Sequence, residues 1–297
     1  MKDLELSILI CSWNTLTDLR ACLQSLLPEV EGKSIEVIVV DNNSEDGSQD
    51  MVANEFPWVA LYPQYRNLGF TGGNNFGLGV RKGRHALLLN SDTIAHEGSI
   101  QALLDFLNSN PKYGIIGPKL LNTDGSLQFS CRKFPNPIAA LFRNTPLGKL
   151  FPKNKFTQEY LMSDWDHSSP RPVDWVSGAA LLISEDCLSF VRGLDPDFFM
   201  FCEDVDVCYR AHQAGFDVMY FPGAVITHKI GASTSKSPNR MIWRFHRSMH
   251  LFFKKHQLSQ YWWPIRPFVY WAAGGALFLR ASLFLVKNQV DRIRRSR

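Results

Sequence analysis

The sequence predicts an α/β protein with a mainly parallel central sheet and helices on both faces. Three observations carry this. Short apolar runs alternate with stretches of helical spacing from residue 6 to residue 118. The runs at 35–40 and 85–89 are apolar at nearly every position, as in strands buried on both faces. Polar clusters, Asp41-Asn42-Asn43-Ser44 and Asn90-Ser91-Asp92, follow those two runs directly. In open α/β sheets, ligands bind beyond the carboxyl ends of the strands.

The elements follow in order. Residues 6–11 form a strand, and 17–27 a helix through Leu19, Leu23, Leu26 and Leu27. Residues 35–40 are a strand, 48–56 a helix, 59–62 a short strand and 73–81 a helix. A strand at 85–89, a helix at 98–108 and a strand at 113–118 complete the alternating half. Residues 132–172 are rich in Pro, Asn and Lys with little periodicity, which predicts a long, partly mobile excursion. An apolar run resumes at 175–183. A helix is expected at 205–214 with Gly215 as C-cap, then short strands at 218–221 and 225–227 leading to His228.

Composition excludes several classes. With 297 residues, 45% hydrophobic and 20% charged, the chain is neither disordered, collagen-like, coiled coil nor polytopic membrane protein. The net charge of +4 conceals an asymmetry. From Lys229 onward there are 14 Lys and Arg against the single acid Asp291, a balance of +13. Residues 1–228 carry 18 basic and 27 acidic side chains, or −9. The opening residues do not read as a secretory signal. Six scattered cysteines without a C-x-x-C pair read as reduced cytosolic thiols.

The polar clusters admit metal and acid–base chemistry. Asp92, with Asn90 two residues before it, could hold a hard divalent cation; it is equally an Asx-turn ending a strand. Asp41 has the same two readings. Glu203, Asp204 and Asp206 crowd like charges together, which raises a carboxyl pKa and suits a general base. A helix N-terminus explains the same cluster. Asp206 can then pair with Arg210 at i+4, leaving Asp204 free. His228 reads as a hydrogen-bonding residue or a ligand. The Gly-rich stretch 67–77, including Gly73 and Asn74, could bring backbone N–H groups to a phosphate. It is neither a Rossmann fingerprint nor a Walker A loop. Trp13 stacks on a base or fills core.

In this order and spacing, the segments at 6–14, 39–48, 67–70, 90–93, 175–179 and 203–206, with His228, Gly231 and Ser233, resemble family 2 glycosyltransferases of the GT-A (nucleotide-diphospho-sugar transferase) fold. The rhamnosyltransferase-like subgroup is the most similar. The resemblance covers roughly residues 4–255. It implies that Asp41, with Trp13, Asn14 and Arg66, binds the nucleotide of a nucleotide-diphospho-sugar donor, with Gly73, Asn74, Asn90, Ser91 and Asp92 completing the donor site. It implies that Asp92 and His228 hold Mg2+ or Mn2+ on the donor diphosphate. Asn90 stands where the family has an aspartate, which removes a charge. Asp204, with Glu203 beside it, would be the catalytic base, and Trp175 and Gly178 would shape the sugar or acceptor site. The implied reaction inverts the anomeric centre. No Gln-x-x-Arg-Trp string occurs, which implies one sugar, rhamnose among the candidates, per turnover. A non-catalytic nucleotide-sugar or glycan-binding protein on the same fold is the alternative.

The tail completes the reading. Residues 241–257 alternate large apolar with basic residues, as in an interfacial amphipathic helix. Residues 261–286 are richer still in Trp, Phe and Leu, but the uncharged stretch between Arg266 and Arg280 spans only 13 residues, short of a bilayer crossing. Association with the anionic cytoplasmic face of the plasma membrane is therefore expected, rather than nucleic-acid binding. A helical hairpin packed on the catalytic domain, a homodimer interface and a tilted span are the other readings. The chain divides into a catalytic domain at 1–235 and a basic helical region at 236–297 that meets a lipid-linked or polysaccharide acceptor.

Overall fold

The computed structural model describes residues 4–136, 150–151, 154–229 and 238–295. The first half alternates as expected: strands β1 (Leu6–Ser12), β2 (Ile35–Asp41), β3 (Ala60–Pro63) and β4 (His85–Asn90) are joined by helices α1 (Leu16–Val30), α2 (Ser48–Glu55) and α3 (Gly69–Val80). After the short β5 (Thr93–Ala95) come α4 (Ser99–Ser109), β6 (Tyr113–Leu121), β7 (Leu127–Gln128) and β8 (Cys131–Arg132). The second half holds α5 (Lys155–Leu161), β9 (Arg171–Val173), β10 (Trp175–Val176), β11 (Ala180–Ile183), α6 (Glu185–Val191), α7 (Glu203–Gln213) and β12 (Asp217–His228).

The main sheet runs β3-β2-β1-β4-β11-β6-β12-β5. Strands β1 to β4 pair in parallel, as do β6 and β12, whereas β11 is antiparallel to both neighbours, β4 and β6. Side chains alternate across the sheet. Ile8, Ile10, Leu87 and Leu89 face α1, α2 and α4 in one core layer. Leu9, Ile38 and Leu88 face α6 and α7 in the other. Apolar residues on both faces explain the near-continuous runs seen in the sequence.

Four local differences have physical causes. Helix α3 begins at Gly69, not at 73, because Gly69 (φ 77) provides the left-handed turn into the helix. The segments 218–221 and 225–227 are one strand, β12, with a register shift between Phe221 and Val225. The run at 175–183 is two strands separated by a turn, and α6 was not anticipated. The excursion 132–172 contains α5 and β9; its residues 137–149 and 152–153 lie outside the described residues.

The tail forms a helical hairpin. Helix α8 (Pro238–Phe252) passes through a π-type turn (Phe253–Gln257) and two short 3-10 turns to reach α9 (Arg266–Arg295). The helices run back on each other: Trp243 meets Phe278, His246 meets Phe284, and Asn288 donates to Asn239 Oδ1 at 2.6 Å. The foot of the hairpin is pinned to the body. Phe252 is buried in the second core layer, Ser248 Oγ donates to the Met200 carbonyl, and Lys255 pairs with Asp195 and Asp197. The outer face of α9 stays apolar and exposed at Phe268, Trp271, Phe278, Leu279, Leu283 and Val286. By length and composition Trp263–Val290 suffices to cross a bilayer, although its uncharged stretch alone does not.

Candidate active site

The carboxyl ends of β1 and β4, the loop before β11, the start of α7 and the start of α8 open into one cleft of about 520 Å³. The antiparallel course of β11 matters here. It sets the amino end of β11 beside the carboxyl end of β4, where Asn90 N–H donates to the Ala179 carbonyl at 2.9 Å. Ser177, Gly178 and Ala179 thereby line the cleft opposite Ser91 and Asp92.

Of the residues expected to bind a nucleotide, Trp13, Asn90, Ser91 and Asp92 line this cleft. Asp41 and Asn14 instead shape its rim. Asp41 is buried at the end of β2; its Oδ1 accepts from the Ser44 N–H at 2.8 Å and the Gln49 amide at 2.7 Å, and its buried Oδ2 has no partner. Asn14 (φ 52) donates its N–H to Ser44 Oγ at 2.8 Å and accepts from the Glu45 N–H at 2.7 Å. These bonds tie the loops after β1 and β2 together. Arg66 is exposed and does not line the cleft. Gly73 and Asn74 lie within α3 and do not themselves line the cleft; a Cβ on Gly73 would come within 2.4 Å of Sγ of the cleft-lining Cys11, and Asn74 donates back to the Phe70 carbonyl. Close packing of α3 on β1, not phosphate contact, explains this glycine.

Asp92 and His228 converge. His228 Nε2 stands 3.3 Å from Asp92 Oδ1 and 3.3 Å from Asn90 Nδ2. The imidazole is oriented by Gln128, which sequence reasoning missed. Gln128 Nε2 donates to Asn122 Oδ1 at 2.9 Å and to the His228 carbonyl at 3.1 Å. Its Oε1 therefore faces His228 Nδ1, at 2.7 Å, as an acceptor. Nδ1 carries the hydrogen, and in the neutral ring the Nε2 lone pair points at Asp92. A carboxylate oxygen beside an imidazole nitrogen that meets the Asn90 amide at 3.3 Å, with the other nitrogen bound to an amide carbonyl, is a donor set that fits a divalent cation. Among the described residues no group of three or more His, Cys, Asp or Glu could hold a metal, so Asp92 and His228 alone would not complete a coordination sphere.

Across the cleft, the acidic cluster divides by role. Phe201 (φ 70) and Cys202 (φ 64) both adopt left-handed conformations just before α7, a strained corner that turns the helix start into the cleft. Asp206 points away; its fully buried carboxylate accepts from Arg210 Nε and His256 Nε2, each at 2.7 Å. Asp204 lines the cleft and accepts from the Gly178 N–H at 3.0 Å and the Val205 N–H at 2.8 Å. Burial raises its pKa, opposed by those two N–H groups and by Arg132. Glu203 is pushed further, well above the carboxylate range, by burial and then by the Asp204 charge, and its Oε2 has no partner. The proton of this pair therefore belongs on Glu203 and the charge on Asp204. Trp175 is buried beside the cleft rather than in it: its indole N–H donates to the Lys133 carbonyl, and Arg132 stacks on its ring at 5.4 Å. Asn42, Phe199, Arg240 and Arg244 also line the cleft without having been singled out.

Comparison with known proteins agrees with this arrangement. The family model described as "Glycosyltransferase like family 2" matches residues 4–248. An N-acetylglucosaminyl-diphospho-decaprenol L-rhamnosyltransferase of Mycobacterium tuberculosis is 32% identical, over 89% of this chain and 87% of its own. A low-salt glycan biosynthesis hexosyltransferase of Haloferax volcanii is 27% identical, over 72% of this chain and 64% of its own. Among solved structures, GalNAc-T7 with UDP, GalNAc and Mn2+ superposes with a TM-score of 0.57 at 13% identity, covering 86% of this chain and 49% of that one. Staphylococcus aureus TarS with UDP gives 0.55 at 14% identity, over 86% and 67%. These two share the GT-A-like fold. With the family model spanning most of the chain, and Asp92, His228 and Asp204 gathered in one cleft, the protein belongs to the family 2 glycosyltransferases.

Proposed function

We propose that this glycosyltransferase inverts configuration while moving a single sugar, rhamnose as the first candidate, from a nucleotide-diphospho-sugar to a lipid-diphosphate-linked acceptor in cell-surface glycan assembly. The observation that carries the reading is Asp204, half-buried and held by two N–H groups, in the same cleft as Asp92 and His228. Asp204 accepts the proton of the acceptor hydroxyl as that oxygen attacks the anomeric carbon from the face opposite the leaving diphosphate. Glu203, protonated beside it, keeps a second negative charge out of the acceptor's path. Asp92 and His228 would hold a divalent cation, which when bound neutralises charge on the departing diphosphate. Trp13 lines the donor part of the cleft, and Asn14 and Asp41 stiffen its rim.

The relatives support the substrate class: the rhamnosyltransferase named above has a diphospho-decaprenol acceptor in its name, and the match spans most of both chains. Residues 236–297 seat the enzyme on the anionic cytoplasmic face of the membrane, with α8 also walling the cleft. Incubating the purified protein with deoxythymidine- and uridine-diphospho-sugars and a prenyl-diphosphate-linked acceptor tests the reading. Transfer should fall at least a thousandfold in D204N, with nucleotide affinity retained. Turnover in D204N at the wild-type rate removes Asp204 as the base.

A further inference from the structure

Two cations in the cleft have no part in the reading above. Arg240 and Arg244 stand one turn apart on α8 and line the same cleft as Asp92 and Asp204. Elsewhere around α7 and the hairpin foot, Lys255 pairs with Asp195 and Asp197 and Arg210 with Asp206, while Arg247 and Lys254 do not line the cleft. Among the described residues, no carboxylate pairs with Arg240 or Arg244. Arg244 lies over the Phe199 ring at 4.1 Å, a contact that occupies the flat face of the guanidinium and leaves its N–H donors for another group. Burial and the like charge of Arg240 make the charged form of Arg244 harder to hold. The helix cannot easily relieve this by moving, because Ser248, Phe252 and Lys255 fix it to the body. Two unpaired guanidinium forks one turn apart match the spacing and charge of a diphosphate, which each can grip bidentately.

The position of the pair selects between the two diphosphates of the reaction. The residues fitted to the donor diphosphate, Asp92 and His228, belong to the sheet end of the cleft. Arg240 and Arg244 belong to the hairpin, whose second helix carries the exposed apolar face. We infer that Arg240 and Arg244 bind the diphosphate of the lipid-linked acceptor, holding its sugar hydroxyl toward Asp204 while the prenyl chain follows the hairpin into the membrane. This rests on the proposed transfer to a lipid-diphosphate acceptor.

The test uses the full-length protein in detergent, with farnesyl diphosphate and UDP as calorimetric probes, the latter with Mn2+. In R240Q/R244Q, farnesyl diphosphate affinity should fall at least tenfold while UDP affinity stays within twofold; an unchanged thermal unfolding midpoint without ligand is the folding control. The single variant R240Q, at an exposed position, should lose at least threefold toward farnesyl diphosphate and serves if the double variant does not fold. Parallel loss of UDP affinity assigns the pair to the donor and overturns the inference. So does farnesyl diphosphate binding that is unchanged in the variants or undetectable in the wild type. Failure of the underlying reading has a different signature: the wild-type protein then transfers no sugar to a prenyl-diphosphate-linked acceptor, whatever the variants bind.

Discussion

Two adjacent carboxyl groups, Glu203 and Asp204, share one buried corner and separate in protonation because only Asp204 has N–H donors on both oxygens. Glu203, with its pKa raised, binds a proton in the folded state that it releases from the unfolded chain above its ordinary value of 4.5. Stability at this site is therefore lost as pH rises from there toward the folded pKa. The E203Q variant is neutral at every pH and escapes that loss. It should be more stable than wild type at pH 7. The margin should shrink toward pH 4.5 in urea melts, and a margin constant with pH would show that Glu203 ionises normally. Sequence reading reached Asp204, Asp92 and His228 because each lies at the end of an apolar run or the start of a helix, where polar residues are conspicuous. It missed Gln128, since the residue acts only through His228, a hundred positions away.

Helix α3 divides between cleft and core. Asn67, Gly69 and Phe70 of the Gly-rich stretch line the cleft. Gly73 and Gly77 instead recur at i, i+4 and face Cys11 and Leu9 of β1, so the spacing reports a helix lying close on a strand. That periodicity was visible in the chain and is the signal to weigh against a phosphate loop. The G73A variant should lose about 1–3 kcal/mol, as overpacked core positions do. Its melting temperature should drop by several degrees with nucleotide affinity little changed, whereas a large loss of affinity in a fully stable variant would restore Gly73 to the donor site. The loop before β11, with Gly178, was legible only through the family resemblance at 175–179. Nothing local signals that β11 runs against its neighbours, and that reversal alone delivers Gly178 to Asp204.

At the scale of the molecule, the −9 body and the +13 tail meet in one cleft, with Asp92 after β4 and Asp204 on α7 and with Arg240 and Arg244 on the hairpin. The sequence showed the charge asymmetry, but tail cations in the cleft required the fold, because the hairpin's return to the body is set by contacts such as Lys255 to Asp195. The exposed aromatic face of α9 makes a membrane prediction. The triple variant W263S/F268S/W271S should bind anionic phospholipid vesicles at least tenfold more weakly, and wild-type binding should weaken with added salt. Unaltered cosedimentation would place the membrane contact elsewhere.

The bond from His256 to Asp206 has a practical consequence for dividing this chain. Cutting at residue 235 would strip one wall from the cleft and leave the buried Asp206 carboxylate, on the helix that carries Asp204, with Arg210 but without His256. Cutting after residue 257 removes the greasy outer helix and spares both. The shorter truncation should stay folded and bind nucleotide while the longer one loses that affinity, readable by thermal shift with UDP. That outcome would put the border of the catalytic part at the bend of the hairpin, not at its first helix.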